Sequence, residues 1–206
     1  ITDAPYRDHR PTVQLAAALF LDQSAYVDGP WNEGLSLLGV EVPATRSPPV
    51  GSRVADDAGF AVLTRGDAKA MLRYPRFRFR PSQADALHLD LWVGDENLLR
   101  DGGSCSYADG RALEYFAGVG SHNTIQFDGR DQMPRLSRFL FGDWLRTSIL
   151  EPLSETDSVV TFGAAYRDGA GSAHMRRVRL EADRMSVSDD VSGFGRSAVL
   201  RWRLAP

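Results

Sequence analysis

The sequence predicts a mainly β protein, an antiparallel β-sandwich preceded by a short α-helical segment. Three observations carry this. After Val50, apolar and polar residues alternate over several runs. Turn dipeptides separate those runs, and the first forty residues show helical spacing instead.

In chain order, Pro11 precedes Leu15, Ala16, Leu19 and Phe20, apolar positions at helical spacing with a proline suited to a helix's first turn. A second short helical pattern runs from Trp31 to Leu38, and three prolines between Pro43 and Pro49 read as a linker. The β pattern follows. Leu87, Leu89, Leu91 and Val93 share one strand face, while His88, Asp90 and Trp92 share the other. Arg176, Val178, Leu180 and Ala182 alternate with Arg177, Arg179 and Glu181, and the run from Ala198 to Leu204 alternates likewise. Gly94-Asp95, Asp128-Gly129, Asp168-Gly169 and Ser192-Gly193 supply turns. Roughly ten short strands result, at the spacing of a sandwich. The chain divides into a helical segment over 1–42, a proline-rich linker over 43–50 and a β domain over 51–206.

Composition narrows the function classes. The 206 residues are 43% hydrophobic and 25% charged with a net charge of −3, an ordinary globular balance long enough for one good core. No basic excess favours a nucleic-acid partner. Lys69 is the only lysine among 24 basic residues, a compositional bias, although arginine suits anionic ligands better. Cys105 is the only cysteine, so neither an internal disulfide nor a multi-cysteine metal site can form. The longest apolar run, Leu15–Leu21, is far short of a membrane span, and no signal-like segment opens the chain. Because Ile1 is not a natural start and Pro206 directly follows a strand-like run, we expect a piece of a longer protein.

Three polar clusters interrupt the strands: residues 80–85 (RPSQAD), 101–107 (DGGSCSY) and 121–124 (SHNT), the last running through Ile125–Phe127 to the turn at Asp128–Gln132. A hairpin brings the first two to one sheet edge. If the third strand pairs nearby, Gln83, Asp85, Asp101 and His122 converge, and histidine and aspartate are ligand types for a divalent metal such as zinc. Plainer readings stand beside this. Asp85 and Asp101 suit turn chemistry, Tyr107 suits packing, and His122 fits equally a buried imidazole bonded to backbone. His9, His88 and His174 have no partner in sequence and are expected to be structural. Cys105 has no basic neighbour that would make it a nucleophile. The run Arg176–Arg179 reads as a solvated strand face.

Taken together, Arg80–Trp92 (RPSQADALHLDLW), Asn97–Tyr107 (NLLRDGGSCSY), Ser121–Met133 (SHNTIQFDGRDQM) and Arg138–Trp144 (RFLFGDW) resemble the C-terminal domain of heparinase II/III-like polysaccharide lyases. The opening segment, through YRDHRPTVQLAAALF and GPWNE, is similar to the end of the helical toroid that precedes that domain. The resemblance implies a two-part enzyme, an incomplete α/α toroid followed by an antiparallel sandwich, that cleaves uronic-acid polysaccharides by β-elimination. In that chemistry the carboxylate's charge is neutralised, a base removes the hydrogen α to it, and an acid protonates the departing oxygen.

On this resemblance His122 and Tyr107 are the candidate catalytic groups. Arg80, Gln83, Asn123 and Arg130 are the candidate substrate contacts. Asp101 and His122, with Asp85, are the candidate metal ligands. Pro81, Ser82 and Gln83 stand where family members often carry histidine, so a histidine site there is expected to be altered or absent. The family's principal base lies in the toroid, so this chain alone is expected not to turn over substrate. The implied partners are an anionic polysaccharide and the protein's own N-terminal toroid, with no nucleic acid and no membrane insertion. The implied setting is the bacterial periplasm or cell surface, with the cytoplasm left open. A non-catalytic sandwich that binds polysaccharide or supports the toroid is the competing expectation.

Overall fold

A computed structural model describes residues 8–48, 51–106 and 108–205. The backbone forms two compact units, Ile1–Val50 and Gly51–Pro206.

In the first unit, α1 (Arg10–Leu21) begins with Pro11 in its first turn and ends at Asp22, whose left-handed backbone (φ 52°) returns an amide to Ala17. The stripe it buries is not the expected one. Gln14, Ala17 and Ala18 lie inside, whereas Leu19 and Phe20 are 48% and 82% exposed. Gln14 fixes this orientation: its Oε1 accepts the amides of Ala25 and Tyr26, and its Nε2 donates to Asn32. These bonds offset the cost of burying an amide. Then comes α2 (Glu33–Leu37). The proline-bearing stretch is tied back to the end of α1, since Ser24 donates to Thr45 and Ser47 donates to Ser24.

The second unit holds β1 (Arg53–Ala55), β2 (Phe60–Arg65), β3 (Ala68–Arg73), β4 (Leu89–Val93) and β5 (Glu96–Leu99) in one antiparallel sheet in that order. Next come α3 (Gly110–Ala117), β6 (Ile125–Phe127), and the small pair β7 (Arg135–Ser137) and β8 (Leu140–Phe141). The long strands β9 (Arg146–Glu155), β10 (Val160–Arg167), β11 (Ala173–Leu180) and β12 (Met185–Ser192) make a second antiparallel sheet, and β13 (Ala198–Leu200) pairs with β6. Thirteen strands are thus present among the described residues, where the turn spacing gave about ten. The helix α3 interrupts the strand pattern unforeseen; Asp109 caps it by accepting the amides of Arg111 and Ala112.

Alternation drives the packing. Leu63 and Leu72 from the first sheet meet Phe162, Val178 and Leu180 from the second in one buried cluster, with Tyr74 and Phe162 rings 5.3 Å apart. Burying one such large apolar side chain contributes about 1.5–3 kcal/mol.

Three details depart from the strand pattern. β4 begins at Leu89 rather than Leu87, because Leu87 takes a left-handed backbone (φ 58°) that no ladder accommodates. The run 198–204 pairs as a strand only to Leu200, then makes a single bridge between Leu204 and Leu99. Arg176 points inward with Val178 and Leu180 and is fully buried, so Arg176–Arg179 is not a solvated face; only Arg177 and Arg179 turn outward. Among the described residues no helix is long and apolar enough to cross a membrane.

Candidate metal centre

His88 immediately precedes β4, Asp101 lies two residues after β5, and His122 ends the short turn after α3. The β4–β5 hairpin, turning at Gly94 (φ 56°), carries the first two side by side. Gly102 then lets the third approach. Its amide donates to Ser121, and a Cβ there would lie 2.8 Å from both the Ser121 Cβ and its carbonyl oxygen.

Nδ1 of His122 meets the Asp101 carboxylate at 2.6 Å, and Nε2 of His88 faces the same oxygen at 3.7 Å. The two rings stand edge to face with centroids 5.5 Å apart. One ligand atom from each of the three residues falls within 4.8 Å of the others. Both imidazoles are buried, while the Asp101 side chain keeps a third of its surface in solvent. Nε2 of His88 and Nε2 of His122 are buried without a hydrogen-bond partner, unusual for polar atoms that water cannot reach.

Burial pushes His88 down to about 4, against the pull of Asp101. Burial would raise Asp101, yet the hydrogen bond and charge of His122, helped by His88, hold it below the ordinary carboxylate value. At neutral pH the group therefore presents a carboxylate beside an uncharged His88, the protonation a divalent cation needs. Two imidazoles and one carboxylate make a donor set that fits zinc, and the orphaned Nε2 of His122, whose Nδ1 is turned to Asp101, fits it too.

The predicted residues divide. Asp101 and His122 come together, and His88, expected to be structural, joins them. Its signal was its place one residue before a strand, on the face opposite Leu89; what sequence lacked was the pairing that brings Asp101 across. Asp85 stands apart and pairs with Arg73 at 3.0 Å. Asn123 is fully buried and committed: its Nδ2 donates to the Leu89 and Arg100 carbonyls, and its Oδ1 accepts the amide of Arg203. It is a bracket for the loops rather than a surface contact. Arg130 pairs with the buried Asp168 at 2.7 Å and bonds Ser172. Arg80 and Gln83 line a separate groove of about 450 Å³, together with Ser82, Cys105, Arg138 and Phe139. Tyr107 lies outside the described residues.

The loop bearing His122 is sewn down behind the centre. Thr124 Oγ1 donates to the Ala86 carbonyl, and Gln132 grips Ala86 like a neighbouring strand, accepting its amide and donating to its carbonyl, each at 2.9 Å.

Among solved structures, a mutant of the heparan sulfate lyase HepC from Pedobacter heparinus superposes with a TM-score of 0.64 at 15% identity, over 95% of this chain and 29% of that one. A heparinase III matches with a TM-score of 0.63 at 18% identity, over 85% of this chain and 27% of that one. The chain thus spans less than a third of the length of either structure. No curated protein sequence matches it. Residues 47–206 match the model of the family described as heparinase II/III-like, C-terminal, and the chain belongs to that family.

Proposed function

We propose that this chain is the β-sandwich part of a polysaccharide lyase that acts by β-elimination on uronic-acid-containing polysaccharide, and that it does not turn over substrate by itself. Its helical opening segment is the end of a preceding α/α toroid, which supplies the principal base. The observation that carries the reading is the convergence of His88, Asp101 and His122. It stands within a domain whose family name is that of heparinase-like proteins.

His88, Asp101 and His122 would hold a divalent cation such as zinc, whose positive charge would pin three loops together. With three protein ligands and the Asp101 side chain a third exposed, the centre would leave a fourth position open, as three-ligand zinc sites do. The chain's own side chains have the other tasks. Arg80 and Arg138, both exposed on the rim of the groove, offer guanidinium forks to a sugar carboxylate. Gln83 adds an amide there. Neutralising that carboxylate is what makes the neighbouring hydrogen removable. His122, locked to Asp101, holds the groove's neighbouring loop in place rather than meeting solvent.

The competing reading is a non-catalytic sandwich that binds polysaccharide or supports the toroid. The commitment of Asn123 and Arg130 to internal bonds favours it. Metal analysis with an absorbance assay for unsaturated uronides, on the longer protein that carries this chain, separates the two. The lyase reading expects zinc near one equivalent, activity in the longer protein, and loss of zinc on His122→Ala. Unchanged metal content and activity in His122→Ala would overturn the site; robust product release by this chain alone would overturn the division of labour.

A further inference from the structure

We infer that Arg176 is a positioning residue of the His88–Asp101–His122 centre, reaching across from the opposite sheet to set the backbone beside two of its ligands. The inference rests on the metal-centre reading above.

Arg176 lies in β11, within the four-stranded sheet, while His88 and Asp101 flank strands of the five-stranded sheet. Its side chain is fully buried, and the hydrogen bonds of its guanidinium point in two directions. Nε and Nη2 grip the Asp189 carboxylate at 2.7 and 2.9 Å. Nη1 donates to the carbonyls of Leu87 and Asn123, each at 2.6 Å. Leu87 immediately precedes His88, and Asn123 immediately follows His122. Asn123 also returns its own amide to Nδ1 of His88 at 2.9 Å. One cation therefore holds the peptide units next to both imidazoles, and through Asn123 it holds the orientation of one ring.

The backbone at Leu87 shows that this grip has a cost to offset. A left-handed backbone is disfavoured for leucine, and here the Leu87 carbonyl accepts from the guanidinium. A charge-assisted hydrogen bond in a dry interior is of the size to offset it. Asp189 is itself held by a second donor, Nε2 of His174 at 2.7 Å, so the guanidinium cannot swing away. A buried guanidinium needs acceptors for all its N–H groups, and here both Nη1 bonds end on carbonyls adjacent to the two imidazoles. Outer partners that orient ligands change metal affinity by about 10–100-fold when removed.

The test uses this chain with zinc, measured by competition with a chromophoric chelator, and with cobalt in zinc's place, read by its visible absorption. Arg176→Met is expected to weaken zinc binding about 10–100-fold and to alter the cobalt spectrum. Arg176→Lys, which keeps the charge but not the planar fork, is expected to fall between. Val178→Ala, a buried change on the same strand outside the centre, should lower thermal stability while leaving both metal readouts unchanged. Should Arg176→Met fail to fold, Arg176→Lys decides. Should that fail too, Asp189→Asn, which frees the guanidinium without removing it, decides on the same two readouts. A folded variant with wild-type zinc affinity and cobalt spectrum overturns the inference. A wild-type chain that takes up no zinc overturns the metal reading instead, and this inference with it.

Discussion

The backbone amide of Asn123 donates to Nδ1 of His88 at 2.9 Å, so the residue after one imidazole steers the other. With Nδ1 occupied as an acceptor, the neutral ring carries its proton on Nε2, toward Asp101 at 3.7 Å. For His88 to ligate a cation through Nε2 as a neutral imidazole, that proton must move to Nδ1 and the Asn123 amide bond must give way.

Asn123→Ala removes three hydrogen bonds of a fully buried side chain, to Leu89, Arg100 and Arg203. We expect a loss of about 2–4 kcal/mol in chemical denaturation. The arrangement is wrong if the midpoint barely moves while polysaccharide binding falls, since that would place Asn123 on substrate.

Gly102→Ala forces a methyl group to within 2.8 Å of Ser121. The strain should cost about 1–3 kcal/mol and spread Asp101 from His122. Zinc affinity should drop along with stability. A variant as stable as wild type, with unaltered zinc affinity, would show that the two loops are free to part.

Arg130→Ala leaves the nearly inaccessible Asp168 carboxylate without its cation. Stability should fall by about 2–3 kcal/mol. With the longer protein and polysaccharide substrate, KM should stay near wild type. A raised KM at unchanged stability would return Arg130 to the substrate.

Acid should act in two stages. His88 is held down to about 4 against an ordinary 6.5, chiefly by burial, and burial lowers His174 as well. Between those values the unfolded chain binds protons that the folded chain refuses, so stability declines as pH falls from 6.5 to 4. Asp189, which burial would raise, is instead brought to about 2 by His174 and Arg176, so a second loss begins below 3.8. Urea midpoints across this range report both, and His88→Gln should flatten the upper stage. A profile level from pH 7 to 4 would contradict the burial of the rings.

Much of this was legible in the sequence, for identifiable reasons. Period-two alternation marks β11, because Val178 and Leu180 face a core in either reading. The turn at Gly94 marks the hairpin. Asp101 and His122 were visible because each stands at a polar break in a strand pattern. His88 was not, since its relevance depends on a hairpin register and on Asn123 folding back over it. Arg176 was misjudged because arginine's charge argues for solvent; only the partner Asp189, 13 residues away on the next strand, makes burial tolerable. The buried stripe of α1 misled in the opposite sense, as a glutamine with three hydrogen bonds displaced two large apolar side chains.

The segment after β12 has a consequence of its own in time. Ser197 to Ala205 closes a seam: Ser197 accepts from Asp128, Arg201 donates to Thr124, Arg203 to Asn123, and Ala205 to Leu98, while Arg203 accepts from Arg100. Each of those partners sits in a loop or strand that frames His88, Asp101 or His122. During synthesis from the N-terminus, His88, Asp101 and His122 emerge from the ribosome well before the strip that fastens them. The nascent domain therefore carries the three side chains on an unlatched frame, and their final spacing waits until Ala205 has been made.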